Sequence, residues 1–135
     1  MNTFPKIVIF SAELSSLSKK ENFIRTDELD SWLANNGYCF KLVQGCYKGN
    51  FEFSFCITLG EYEAIAPLIA IANHYGQESI LISNERRESD LINLKTQEIT
   101  YLGRLKAVSY EMARTSDAFT IDTSTNTYYM CVKGA

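Results

Sequence analysis

The spacing of apolar and polar positions changes period several times along the chain, and each change marks an element. Lys6 to Ala12, KIVIFSA, is a continuous β-branched and aromatic run of strand length, which predicts a buried first strand. Leu14 to Arg25 is polar and reads as a loop. Thr26 can then cap a helix with Asp27 and Glu28 in its first turn, the sign that suits the positive end of the helix dipole. Leu29, Trp32 and Leu33 fall at i, i+3 and i+4 as one apolar stripe, and Asn35-Asn36-Gly37 is a stop signal. Tyr38 to Tyr47 is strand-like, and Lys48-Gly49-Asn50 is turn chemistry. Phe51 to Leu59 alternates with a period of two, setting Phe51, Phe53, Phe55, Ile57 and Leu59 on one face and Glu52, Ser54, Cys56 and Thr58 on the other. Glu61 to Tyr75, rich in Ala and Ile, predicts a second helix in which Pro67 makes a kink or marks the true first turn. Gly76 closes it, and Ser79 to Ser83 is a fourth strand.

The order β-α-β-β-α-β is that of the split ferredoxin-like unit. The expected fold is therefore α+β: a ferredoxin-like core with both helices on one face of an antiparallel sheet and the Phe-rich side of the third strand turned toward them. After the charged turn Asn84 to Glu88 come further strand-like pieces at Leu91–Leu94, Ile99–Leu102, Ala118–Asp122 and Tyr128–Val132, with Thr123-Ser124-Thr125-Asn126 as a hairpin turn between the last two. They are expected to extend the core as additional C-terminal strands. The chain shows neither a repeat nor a linker, so residues 1–135 read as a single domain.

Composition narrows the function. Apolar residues are 46% of 135 and charged residues 21%, a balance that suits a packed domain rather than a disordered chain. Thirteen basic against sixteen acidic residues give a net charge of -3, which offers no general attraction for nucleic acid or an anionic bilayer. The longest apolar run, Ala64 to Ala72, is broken by Pro67 and falls well short of the roughly 20 residues of a membrane span. The first residues, Met1 to Lys6, lack the zones of a signal peptide, and a cytoplasmic protein is the expectation. Cys39, Cys46, Cys56 and Cys131 have no C-x-x-C spacing and His74 has no second histidine, so reduced, mostly buried thiols and no metal site are expected. The Lys19-Lys20 and Arg86-Arg87 pairs read as solvated faces.

The common nucleotide, hydrolase and metalloprotease motifs are absent. What stands out is the cluster Gln44 to Glu52, in which Gly45 and Gly49 flank Cys46, Tyr47 and Lys48 at a hairpin tip and a carboxylate follows on the polar face of the next strand. From pattern alone Glu52 reads as a solvated strand residue, Tyr47 as an interfacial aromatic or a ring that stacks on a ligand, and Lys48 as a solvated turn residue. Composition leaves the function open at this point.

These residues resemble the phage-encoded S-adenosylmethionine lyases. The resemblance rests on Val8-Ile9-Phe10-Ser11-Ala12, on Gly45-Cys46-Tyr47, on the strand that opens with Glu52, and on Ala118-Phe119-Thr120-Ile121-Asp122 followed by Tyr128 and Tyr129. It implies conversion of S-adenosylmethionine to methylthioadenosine and homoserine lactone without a cofactor, depleting the methyl donor of an infected bacterium and blunting restriction. It also implies a homotrimer with a PII-like core and sites between subunits. Glu52 matches the family's catalytic acid and Tyr47 joins it, while Ser11, Gly45, Cys46 and Lys48 fall among the substrate-binding residues. The position before Glu52 is Phe51 rather than a second acid, which speaks against a two-carboxylate mechanism. Two other classes stay open: a PII-like adenine-nucleotide-binding module without chemistry, and a phage protein that blocks a host enzyme by contact. A nucleotide sensor needs cations for phosphates, and this hairpin offers only Lys48.

Overall fold

A computed structural model describes residues 4–134, so Met1 to Thr3 of the expected leaderless start lie outside the described residues. Eight strands close on themselves. In chain order the elements are β1 (Ile7–Phe10), α1 (Lys19–Asn35), β2 (Cys39–Tyr47), β3 (Asn50–Thr58), α2 (Ala66–His74), β4 (Ser79–Ser83), β5 (Glu88–Asn93), β6 (Ile99–Val108), α3 (Tyr110–Arg114), β7 (Ala118–Asp122) and β8 (Thr127–Val132). The strands form a closed antiparallel barrel in the order β1-β3-β2-β7-β8-β6-β5-β4, with β4 returning to β1. The ferredoxin-like, PII-like α+β sandwich expected from the element order is therefore wrong. The four tail strands do not extend an open sheet; they carry it round from β4 to β2 and leave no free edge.

Local chemistry explains the element boundaries. α1 begins at Lys19, well before Thr26, because Ser18 and Glu21 make a reciprocal capping box: the Ser18 hydroxyl accepts from the Glu21 N–H at 3.1 Å and the Glu21 carboxylate from the Ser18 N–H at 3.2 Å. Pro67 sits in the first turn of α2, where its missing N–H has no intrahelical partner to lose. Lys48 and Gly49 both have positive φ, 50° and 82°, the requirement of a two-residue hairpin turn between Tyr47 and Asn50. The short α3, unmarked by any apolar stripe, is capped by Ser109.

The two long helices lie outside the barrel, over the β4-β1-β3-β2 side. Leu29 and Leu33 of α1 and Leu68 and Ala72 of α2 pack on Val8, Phe10, Phe55, Ile57 and Ile80, all buried. Phe55, Ile57 and Leu59 thus face the helices as expected, but Phe51 and Phe53 extend past them and stay exposed. Because side chains alternate along a strand, the opposite faces of the same strands line the lumen. The polar face of β3 is therefore interior: Cys56 and Thr58 line a lumen cavity of about 180 Å³ together with Lys41, Thr120, Asp122 and Tyr129.

In that lumen the Lys41 ammonium donates to Asp122 Oδ2 at 2.5 Å, and Ser124 donates to Oδ1 through its hydroxyl at 2.6 Å and its N–H at 3.1 Å. These bonds, Lys41 first, hold the Asp122 carboxyl down to about 2 from an ordinary 3.8. A depressed carboxyl stabilises the fold above its unfolded pKa and loses that contribution as the pH falls through its folded value. Acid unfolding should thus show a stability loss between pH 3.8 and about 2 that Asp122→Asn lacks. Denaturant titrations at stepped pH check this, and parallel pH slopes for the two proteins would remove Asp122 from the acid response.

The four cysteines are free, but only Cys46 is buried; Cys56 and Cys131 are half-buried and Cys39 is exposed, so the expectation of mostly buried thiols does not hold. Burial pushes the Cys56 and Cys131 thiols up, so both stay protonated at neutral pH. Among the described residues no helix is long and apolar enough to cross a membrane, and no three His, Cys, Asp or Glu side chains come together to hold a metal ion.

Candidate active site at one barrel mouth

The barrel rim above the lumen opens into a cleft of about 740 Å³. Its walls are the end of β1 with the loop that follows, the β2-β3 hairpin, and the entry into β4. At this rim β1 stops pairing at Phe10, opposite Phe55, while β3 runs on to Asn50. The outer edge of Phe53 consequently needs partners from elsewhere. Ser11 Oγ donates to the Phe53 carbonyl at 2.6 Å, and the Glu13 carboxylate accepts from the Phe53 N–H at 2.6 Å. Ser11 also accepts from the Glu13 N–H at 2.9 Å, and Gln77 donates to the Glu13 carbonyl at 3.0 Å. The β1-α1 loop is thereby stitched across the mouth.

Five of the six residues singled out from the sequence, Ser11, Gly45, Cys46, Tyr47 and Glu52, line this cleft. Glu52 stands opposite Gly45 in the β2-β3 register. A Cβ at position 45 would come within 3.4 Å of Ser54 Oγ, so glycine keeps the space beside Glu52 clear. The Glu52 carboxyl has no hydrogen-bond partner among the described residues. Its pKa is raised above the ordinary 4.5, chiefly by desolvation between the cleft walls and secondarily by the negative charge of Glu13. Tyr47 is exposed at the cleft edge, and Cys46 is buried beneath it. Lys48, the sixth residue, lies at the hairpin tip outside the cleft wall, its ammonium 5.3 Å from the centre of the Tyr47 ring. The buried Ser11 hydroxyl is committed to two backbone partners.

Sequence reasoning missed Glu13 and Glu78, which share the same wall. Glu13 lies in the loop directly after β1, two positions from Ser11, and Glu78 directly precedes β4, the neighbour of β1, so both sit at the strand ends that form this rim. With Glu52 they put three carboxylates on the cleft and, among its lining residues, no lysine or arginine. Such a wall attracts cations and repels anions.

Fold and site together define a closed β-barrel with an acidic mouth suited to a small, positively charged molecule. The chain belongs to the S-adenosylmethionine lyase family, whose family model matches residues 8–132 and so spans the barrel almost end to end. A search of curated proteins finds no match. The activity shown by that membership is S-adenosylmethionine lyase, and its substrate carries the sulfonium and ammonium charges that the acidic mouth favours.

Proposed function

We propose that this enzyme folds S-adenosylmethionine in the mouth cleft so that the substrate's own carboxylate closes on its γ carbon. A carboxylate oxygen forms a bond to the γ carbon, the bond from that carbon to sulfur breaks, and sulfur keeps the electron pair. The products are methylthioadenosine and homoserine lactone; no proton moves and no water adds. The observation that carries this reading is Glu52, a solvent-accessible carboxyl on the cleft wall that has no hydrogen-bond partner among the described residues, in a cleft whose described lining residues include no lysine or arginine. Glu52 holds the α-ammonium, which leaves the substrate carboxylate free to attack. Positioning of this kind contributes about 7 to 11 kcal/mol in well-oriented intramolecular reactions. Glu52 does not clamp the sulfonium, because that charge vanishes at the transition state and its stabilisation would raise the barrier. Tyr47 offers its free ring face to the adenine or the sulfonium, while Ser11 and Cys46 shape the wall.

Running the reaction in water labelled with heavy oxygen tests the mechanism. Intramolecular attack yields unlabelled lactone first, with homoserine following as the ring opens. Label on the γ-hydroxyl under conditions that preserve the lactone sinks the reading in favour of hydrolysis.

Glu52 must be ionised to hold an ammonium. The acid limb of kcat/KM, which reports the free enzyme, should accordingly lie above the ordinary 4.5. Glu13→Gln should move that limb down, since it removes the second cause of the raised value while leaving an oxygen for the Phe53 N–H. A limb indifferent to Glu13 would detach it from Glu52.

The same reading includes a homotrimer that closes the cleft from outside. The support is the exposed aromatic surface beside it, where Phe51 and Phe53 stand uncovered and Phe51 meets Phe119 edge-on at 6.2 Å. Light scattering at assay concentration, combined with activity on dilution, tests this, and a fully active monomer rejects it. Depletion of the methyl donor in a phage-infected bacterium, with loss of restriction, is the biological role that follows. Restriction of an unmodified phage in cells expressing the protein measures it.

A further inference from the structure

The far end of the barrel has the opposite charge. A groove of about 760 Å³ there is lined by Arg86, Arg87, Arg104 and Lys106, with the rings of Phe4 and Tyr129, and among the described residues no carboxylate lines it. Four of the chain's 13 basic residues thus converge on one groove in a protein of net charge -3. Two carboxylates lie near. Glu88 accepts from Arg104 at 3.2 Å and from the Tyr101 hydroxyl, and Glu85 is 3.6 Å from Lys6. Among the described residues Arg86, Arg87 and Lys106 have no ion-pair partner.

The groove is preorganised. It hangs on the β4-β5 turn, where Asn84 Oδ1 accepts from the N–H groups of Arg86 at 2.9 Å and Glu88 at 3.0 Å. Arg87 takes a left-handed backbone, φ 64°, uncommon for a residue other than glycine, and its side chain lines both the groove and the lumen cavity. There it donates to the Pro5 carbonyl at 2.6 Å and lies 4.7 Å from the centre of the Phe4 ring. Burial disfavours its charged form, a cost that an anion beside it would offset.

We infer that this groove is a binding site for a small phosphate ester, with the phosphate on Arg86, Arg87 and Lys106 and the body of the ligand against Phe4 and Tyr129. Guanidinium groups match phosphate oxygens in geometry as well as charge. The substrate and products of the lyase reaction do not suit the groove: S-adenosylmethionine and homoserine lactone are cationic and methylthioadenosine is uncharged. The site is thus separate from the acidic mouth, and the inference stands whether or not the lyase mechanism does.

Equilibrium dialysis or calorimetry with inorganic pyrophosphate and with a nucleoside monophosphate tests it, and comparing the two shows whether the ligand body contributes. Both are expected to bind saturably, and the double variant Arg86→Glu, Lys106→Glu to weaken binding about 100-fold. Both side chains are exposed, so the fold and the lyase turnover should hold in that variant. Absence of saturable binding to the wild type, an unchanged affinity in the variant, or binding confined to long oligonucleotides would overturn the assignment.

Discussion

Gly103→Ala should lower stability by about 3 to 6 kcal/mol, a large share of the roughly 5 to 15 kcal/mol that holds a domain together. Two independent costs meet at this residue. Its φ is 105°, a backbone conformation that a residue with a Cβ rarely adopts. The added Cβ would also fall 2.5 Å from both the carbonyl carbon and the oxygen of Val132 and 2.7 Å from the nitrogen of Lys133. Those atoms are backbone, so no side chain can swing aside; β6 and β8 themselves would have to part. The position matters because Ser89 pairs with Gly103 while Asp90 pairs with Tyr101, a register shift that leaves Leu102 unpaired. That bulge bends β6 where the barrel turns from β5 toward β8. Gly49→Ala is the matched control, since Gly49 also has positive φ, 82°, but nothing within 4 Å of the added carbon. It should cost only about 1 kcal/mol. Urea unfolding of both variants measures the difference, and similar midpoints would mean that the bulge relaxes without strain.

The same bulge shows why barrel closure was not legible. The strands themselves were readable, the tail included: the pieces at Leu91–Leu94, Ile99–Leu102, Ala118–Asp122 and Tyr128–Val132 overlap β5, β6, β7 and β8, as the Phe-rich alternation of Phe51 to Leu59 overlaps β3. In β6, ITYLGRLKAV, the alternation Ile99, Tyr101, Gly103, Leu105, Ala107 is present in the chain, but only Gly103 is buried and Leu102 drops out of the pairing at the bulge, so the local pattern gives no register. Closure is a property of eight registers at once, and an open sheet with appended strands satisfies each local signal equally well. α1 is a different failure: the capping box Ser18-x-x-Glu21 was present in the chain but lay inside a stretch whose serines and lysines read as a loop.

At the site, legibility followed chain proximity. Gly45, Cys46, Tyr47 and Glu52 belong to one hairpin, so the sequence already placed them together. Glu13 and Glu78 belong to the connections after β1 and before β4, and they reach the hairpin only because the rim of a curved sheet gathers those connections. Arg86 and Arg87 were read as a solvated pair for the same reason, as their partners Arg104 and Lys106 come from β6. The barrel thus sorts charge by end, acidic at one mouth and basic at the other, although the chain intersperses both signs.

Glu52→Gln should leave the fold intact and abolish most turnover. The folded protein does not use the charge: no hydrogen bond or ion pair to the Glu52 carboxyl exists among the described residues, and desolvation together with the charge of Glu13 raises its pKa. Glutamine has the same size and keeps an acceptor oxygen, so Gly45 and Ser54 meet no new bulk. Glu13 and Glu78 remain to draw a cationic substrate into the mouth, and KM should change less than kcat. On the proposed mechanism, what disappears is the charge that holds the α-ammonium away from the attacking carboxylate. Losing one charge-assisted hydrogen bond at a partly desolvated site costs about 1.5 to 3 kcal/mol, or roughly 10- to 150-fold in rate, and more where misplacement also spoils the line of attack. Tyr47→Phe should change turnover little, because the ring keeps its face and Tyr47 gives up only a hydroxyl. Steady-state kinetics of the two variants beside the wild type distinguish charge from shape. Wild-type turnover in Glu52→Gln would make Glu52 an ordinary rim residue and move the search for the ammonium's partner to Glu13 and Glu78.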